Sequence, residues 1–132
     1  MLNIGKVQVI CEKYPINTIY LFGSFVDGSY DEDSDIDLAY LSAGVDNALD
    51  YGCLYFDLQG VFERQIDLVD LRRVPLTLAY GIIKDGRVLY DLDEEGRTDF
   101  EDEIIMKYLD FSTFSRLMQA EIDANFGVEV NP

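Results

Sequence analysis

Histidine and tryptophan are absent from the 132-residue chain. Without histidine there is no Ser-His-Asp or Cys-His triad, no histidine-ligated zinc and no imidazole proton shuttle. Cysteine is scarce: Cys11 and Cys53 form neither a CxxC pair nor a secreted disulfide framework. Proline occurs only at 15, 75 and 132, so no Pro-rich linker or low-complexity segment divides the chain. No apolar run reaches membrane-spanning length and no signal peptide is visible, so a cytoplasmic protein without membrane association is expected. Basic residues are few, 10 Lys and Arg against 26 Asp and Glu, giving a net charge of −16. Such a field repels phosphate backbones, and stable nucleic-acid binding is not expected. It also repels free nucleotides, so a nucleotide site here would need metal ions to offset the charge. Any chemistry must rest on carboxylates, hydroxyls, a few basic side chains and metal.

The remaining composition, 48% hydrophobic and 27% charged, is that of a globular protein, and the length fits one domain over residues 1–132. Leu2, Val7, Ile10 and Cys11 share one face of a helix predicted from Leu2 to Tyr14, which Pro15 stops. Thr18 to Phe22 is a short run of β-formers ended by Gly23 and reads as a buried strand. A second strand is predicted over Asp35–Leu41, with Asp35 and Asp37 two apart and therefore on one face. Gly44 and Asp46 open a predicted helix to about Arg64, its face marked by Val45, Leu49, Cys53, Phe56 and Gly60. Gln65–Leu71 is a third strand carrying Asp67. Pro75 is placed at the first helical position of a short helix closed by Asp85-Gly86, and Arg87–Tyr90 reads as an edge strand. From Glu94, Phe100, Ile104, Tyr108, Phe111, Phe114 and Leu117 predict a long amphipathic helix. The fold class that follows is α+β: a small mixed β-sheet flanked by helices, with a long C-terminal helix.

The segment from Gly23 to Leu38, GSFVDGSYDEDSDIDL, carries the chemistry. A strand ending in Gly-Ser lets backbone N–H groups and a small hydroxyl approach phosphate oxygens. Asp35 and Asp37 repel one another unless protonated or metal-bound, and hard oxygen ligands suit Mg²⁺. Asp67, on its own strand between Ile66 and Leu68, is favoured over Asp70 as a third carboxylate. Three carboxylates beside a glycine-serine turn match two-metal phosphoryl chemistry.

Gly23-Ser24, ten intervening residues and Asp35-Ile36-Asp37 resemble the GS-x10-DxD signature of the polymerase-β-like nucleotidyltransferases. The SDIDL and QIDLVDL contexts look like the minimal members of that superfamily. The segment from Val69 to Tyr90 is similar to the MntA-like antitoxins, partners of HEPN-domain RNase toxins in toxin–antitoxin pairs. The resemblance implies a nucleotidyltransferase fold in which Gly23 and Ser24 grip phosphate. It implies that Asp35 and Asp37 hold two Mg²⁺ ions, and that Asp67 binds the catalytic metal and helps deprotonate the acceptor. It further implies AMP transfer (AMPylation) from ATP to a tyrosine hydroxyl of a HEPN toxin, which silences the toxin. Two alternatives stand beside this: an antitoxin of weak catalysis that neutralises by direct binding, and a small-molecule nucleotidyltransferase. One departure is notable, because that family often carries arginine at the position of Asp27. Here the loop is acidic (Asp27, Asp31, Glu32, Asp33), and Arg72, Arg73 and Lys84 are the candidates for the triphosphate's cation. The acidic run from Asp91 to Glu103 suits the start of a helix, and the aromatic stripe of the last helix divides between core and partner contact.

Overall fold

The computed structural model describes residues 3–43 and 50–127. The expected roles of Leu2, Gly44, Val45, Asp46 and Leu49 fall outside them. A first helix, α1 (Ile4–Lys13), is capped by Asn3, whose side chain accepts from Lys6 N, and ends before Pro15. It leads into β1 (Ile16–Phe22) and a single helical turn, α2 (Ser24–Asp27). Then follow β2 (Ile36–Ser42), α3 (Tyr51–Gln59), β3 (Ile66–Asp70), α4 (Leu76–Asp85), β4 (Arg87–Asp91) and α5 (Glu94–Ile122). A π-helical turn over Asp123–Gly127 completes the described chain.

The sheet has four strands in the order β3-β2-β1-β4. β1 lies antiparallel to both β2 and β4, whereas β2 and β3 run parallel with α3 crossing between them. Alternation along the strands sends two sets of apolar side chains to opposite faces. On one face Ile19, Leu21, Ile36, Leu38, Tyr40, Ile66 and Leu68 pack against Val7 and Cys11 of α1 and Leu54 and Leu58 of α3. On the other, Tyr20, Ala39, Leu41 and Leu71 meet Ala79 and Ile82 of α4 and Phe100 and Ile104 of α5. Fully burying such a side chain is worth about 1.5–3 kcal/mol, so both faces contribute to stability.

Most element bounds shift by one or two residues from the sequence reading, and three boundaries and one helix face differ for identifiable reasons. β1 starts at Ile16, because Ile16 and Asn17 are buried and Asn17 Nδ2 donates to the Asp93 carbonyl. Pro75 stands just ahead of α4 rather than within it. The helix expected to reach Arg64 stops at Gln59, where Gly60 caps it. Its inward face is Leu54 and Leu58, with Phe62 following; Cys53 is exposed and Phe56 is 78% exposed. That segment (YGCLYFDLQ) is apolar nearly all round, so its spacing alone does not single out the face that the sheet covers.

The last helix begins as its acidic start predicts. Asp93 caps it by accepting from Gly96 N, and Glu94 and Glu95 occupy the first turn. It is tied to the sheet by Glu101, which accepts from the buried Tyr20 hydroxyl at 2.8 Å and from Arg97 at 3.1 Å. Arg97 also donates to Asp91 at 2.8 Å. Beyond Ile104, Tyr108 stacks on Tyr80 of α4 with ring centroids 3.9 Å apart. Met106, Leu109, Phe111, Phe114 and Leu117 are exposed, so the stripe expected along α5 divides: its first turns are core and its later turns are surface.

Candidate active site

β1 ends at Gly23, where φ is 76° and ψ is −149°, a backbone region that L side chains avoid. The Gly23 carbonyl accepts from Val26 N and Asp27 N at 3.0 and 3.2 Å, which folds the chain at once into α2. Gly28, at φ 87°, closes that turn by donating its N–H to the Ser24 carbonyl at 3.0 Å. Gly23 and half-buried Ser24 thus lie at the mouth of the sheet, beside the first turns of β2.

Strand register sets the carboxylates. Phe22 of β1 pairs with Asp37 of β2, and Asp37 pairs with Asp67 of β3. Directly paired residues point to the same face, here the α4/α5 face. Asp35 stands one residue before β2. Asp37 lies so close over Gly23 that a Cβ there would overlap its carboxylate, with Cγ only 3.1 Å away. Burial, with the Asp67 and Asp35 charges adding to it, pushes the Asp37 carboxyl above its ordinary value of 3.8. The structure therefore brings all three sequence-predicted carboxylates, Asp35, Asp37 and Asp67, into one electrostatic cluster at the Gly23-Ser24 turn.

Among the described residues no three His, Cys, Asp or Glu side chains form a closed metal-holding group. The donor set is nonetheless that of a hard divalent cation. Its oxygens come from adjacent strands, and its central member is held at an electrostatic disadvantage that positive charge would relieve. Mg²⁺ fits such a group.

The acidic loop before β2 is occupied with its own turns. Asp27 accepts from Ser29 N and Ser29 Oγ at 2.8 and 2.6 Å, and these bonds hold its carboxyl below the usual value. Asp31 accepts from Asp33 N at 2.9 Å and from Ser34 Oγ at 3.2 Å, and is lowered for the same reason. Asp70 caps the turn after β3 by accepting from Arg72 N at 3.0 Å.

Of the basic candidates, Arg72 donates to the Ser42 carbonyl at 3.3 Å and lies over the Phe100 ring, 5.1 Å from its centroid. It braces α5 against the sheet. Arg73 pairs with Asp70 at 3.4 Å. Lys84 forms no ion pair among the described residues. It sits in the last turn of α4, the helix that borders the Gly23 turn across a cleft of about 510 Å³ lined by Phe22, Gly23, Asp27, Gly81 and Asp85. One residue near the site escaped the sequence reading. Arg64, taken there only as a helix end, donates to the carbonyls of Asp31 and Ser34 and lies over Phe25 of α2. A contact spanning 33 residues leaves no local pattern to find.

The family model described as polymerase beta, nucleotidyltransferase, matches residues 5–95, a span that holds the turn and all three carboxylates. The chain is a member of the polymerase β nucleotidyltransferase family. Within it, the chain is 31% identical over 96 residues to the protein adenylyltransferase MntA of Shewanella oneidensis, covering 71% of this chain and 69% of that protein. Its fold superposes on a crystal structure of the toxin–antitoxin with AMP-PNP with a TM-score of 0.73 and 25% identity, over 92% of this chain and 98% of that one. It also shares its fold with a chain of the tri-AMPylated Shewanella oneidensis HEPN toxin in complex with MNT antitoxin. There the TM-score is 0.66 and the identity 22%, over 90% of this chain and 94% of that one. No described helix is long and apolar enough to cross a membrane.

Proposed function

We propose that this chain is a single-domain antitoxin that transfers AMP from ATP to a tyrosine hydroxyl of a HEPN-domain toxin and so neutralises it. The observation that carries the reading is the register that sets Asp37 beside Asp67, with Asp35 adjoining, against the Gly23-Ser24 turn. The likeness to MntA, a protein adenylyltransferase, supports the same reaction class here.

In this reading Asp35, Asp37 and Asp67 are the residues that would hold two Mg²⁺ ions. Bound Mg²⁺ supplies positive charge that favours ionisation of the acceptor hydroxyl and stabilises the departing pyrophosphate. Gly23 and Ser24 grip the triphosphate, and of Arg72, Arg73 and Lys84 only Lys84 has no partner assigned above and would be the one to approach it. The acceptor oxygen forms a bond to the α-phosphorus as the bond to the bridging oxygen breaks and pyrophosphate leaves. Asp67 takes the hydroxyl proton: a tyrosine of ordinary pKa near 10 is protonated at neutral pH and needs a base. Asp67 is exposed on the edge strand β3, where a side chain of another protein has access to it.

A second reading, neutralisation by direct binding, is favoured by the exposed apolar side chains of the later turns of α5. A transfer assay with ATP labelled in the α-phosphate separates the two. The proposal predicts label on the toxin and one pyrophosphate released per AMP transferred. A toxin that is bound and silenced without label contradicts it.

A further inference from the structure

Resting on the reaction just proposed, we infer that Arg64 is a positioning residue that fixes the carboxylate row relative to the phosphate-binding turn. Three segments build the site: the turn into α2 and the loop entering β2, which follow one another, and the start of β3, remote from both in sequence. Arg64 touches the first two and is itself continuous with the third. Its Nη1 donates to the Asp31 carbonyl at 2.5 Å and to the Ser34 carbonyl at 3.3 Å, the latter immediately before Asp35. Its guanidinium lies 5.1 Å from the centroid of Phe25, which adjoins Ser24, and Phe25 in turn stacks on Tyr30 at 4.5 Å. Arg64 itself is three residues before Asp67, and the neighbouring Gln65 carbonyl accepts from Ile36 N at 2.9 Å.

The chemistry requires a guanidinium. Nη1 donates to both carbonyls while the planar face of the guanidinium stacks on the Phe25 ring, a flat-face contact that a compact, strongly hydrated ammonium does not reproduce. The need for a brace follows from the site's own charge. Asp35, Asp37 and Asp67 repel one another, and the loop that delivers Asp35 is otherwise held by its own short turns. A loop free to swing would let Asp35 retreat from the row, and a cation would then have to gather the ligands as it bound. Loss of the brace therefore weakens use of the metal before it weakens the fold. The Arg64, Phe25 and Tyr30 stack borders a cavity on the opposite sheet face, lined also by Leu21, Ile36 and Phe62, so Arg64 does not itself meet the substrate.

The test uses the full chain with its HEPN partner, ATP and a Mg²⁺ titration, comparing wild type, Arg64→Lys and Arg64→Ala. The expected result is a kcat at least tenfold lower in Arg64→Ala, a severalfold higher Mg²⁺ concentration for half-maximal rate and, without turnover, a severalfold higher Mg²⁺ concentration for the rise in melting temperature with AMP-PNP. Arg64→Lys keeps the charge and the aliphatic stem, and therefore the fold, yet shares the raised Mg²⁺ requirement; it carries the test if Arg64→Ala fails to fold. KM for the toxin stays within about twofold, which a general loss of structure would not leave intact. An Arg64→Lys variant with the wild type's rate and Mg²⁺ requirement overturns this inference alone. A wild-type chain that transfers no AMP overturns the reaction on which it rests, and the inference with it.

Discussion

The carboxylate of Asp37 occupies the space beside Gly23 that a Cβ would take, so a side chain at position 23 obliges Asp37 to move. The contact joins the end of β1 to β2, and the glycine is explained on two counts. The backbone there has φ 76° and ψ −149°, and the space a Cβ would need is taken by the Asp37 carboxylate. Replacing Gly23 by alanine should cost stability through backbone strain of about 1–3 kcal/mol. It should also displace Asp37 and reduce AMP transfer at least tenfold. Thermal denaturation and initial rates on the same preparation check both.

Neutralising the carboxylate row should separate stability from activity. Burial and two neighbouring charges disfavour the ionised form of Asp37, so that form opposes folding. Its raised folded value means that the opposition is absent below 3.8 and grows as pH rises through the folded value. In the absence of divalent cations, Asp37→Asn should therefore melt at the same temperature as wild type or higher at pH 7. It should lose AMP transfer by more than a hundredfold, and added Mg²⁺ with AMP-PNP should stabilise wild type more than the variant. Calorimetric melts with and without the cation read this out.

The outer face offers the opposite sign. Asp57 accepts from the Tyr14 hydroxyl at 2.6 Å and from Lys13 at 3.1 Å, which hold its carboxyl below 3.8. A depressed folded value contributes stability above the unfolded value that disappears as pH falls through the folded one. The difference in melting temperature between wild type and Asp57→Asn should accordingly be present at pH 7 and shrink as the pH falls below 3.8 and through the folded value. A pH series of melts for the two proteins tests it.

The two thiols should react differently. Cys11 is buried, and burial, with Glu12 adding, pushes it up to about 12. Cys53 is exposed, and donation to Asp50 at 3.2 Å raises it more modestly. Iodoacetamide at neutral pH should modify Cys53 slowly and leave Cys11 untouched until the chain unfolds. Asp50→Ala should speed the Cys53 reaction severalfold, read by peptide mass analysis.

α5 should divide into a structural and a dispensable part. Phe100 is buried, so Phe100→Ala should cost about 3–5 kcal/mol. Phe114 and Leu117 are 58% and 65% exposed, so their double alanine variant should melt as wild type does. In the proposed function those later turns are surface available to the toxin. Co-purification of the double variant with its partner should fall, and retention at the wild-type level would assign that surface elsewhere.

Much of this was legible in the sequence for identifiable reasons. β1 announces itself as an apolar run of β-formers ended by Gly23, β2 by the alternation from Asp35, and the GS-x10-DxD spacing locates the turn and two carboxylates. Asp67 was nameable as a candidate, but its place beside Asp37 depends on a parallel register that no single segment encodes. The face of α3 was misread because Leu54 and Leu58 are embedded among Cys53, Tyr55 and Phe56, and only the partner sheet decides which pair turns inward. Arg72 looked available from its position after β3, yet Phe100 and the Ser42 carbonyl claim it. Arg64 was invisible because its partners lie about thirty residues away.

Intact-mass spectrometry of the HEPN partner bears most directly on the central claim. The partner is incubated with ATP, Mg²⁺ and either wild type or the Asp35→Asn/Asp37→Asn variant. The account predicts increments of whole AMP units with wild type and none with the variant, although the variant still binds. A partner that is silenced while its mass stays unchanged, or one modified equally by the variant, would contradict it.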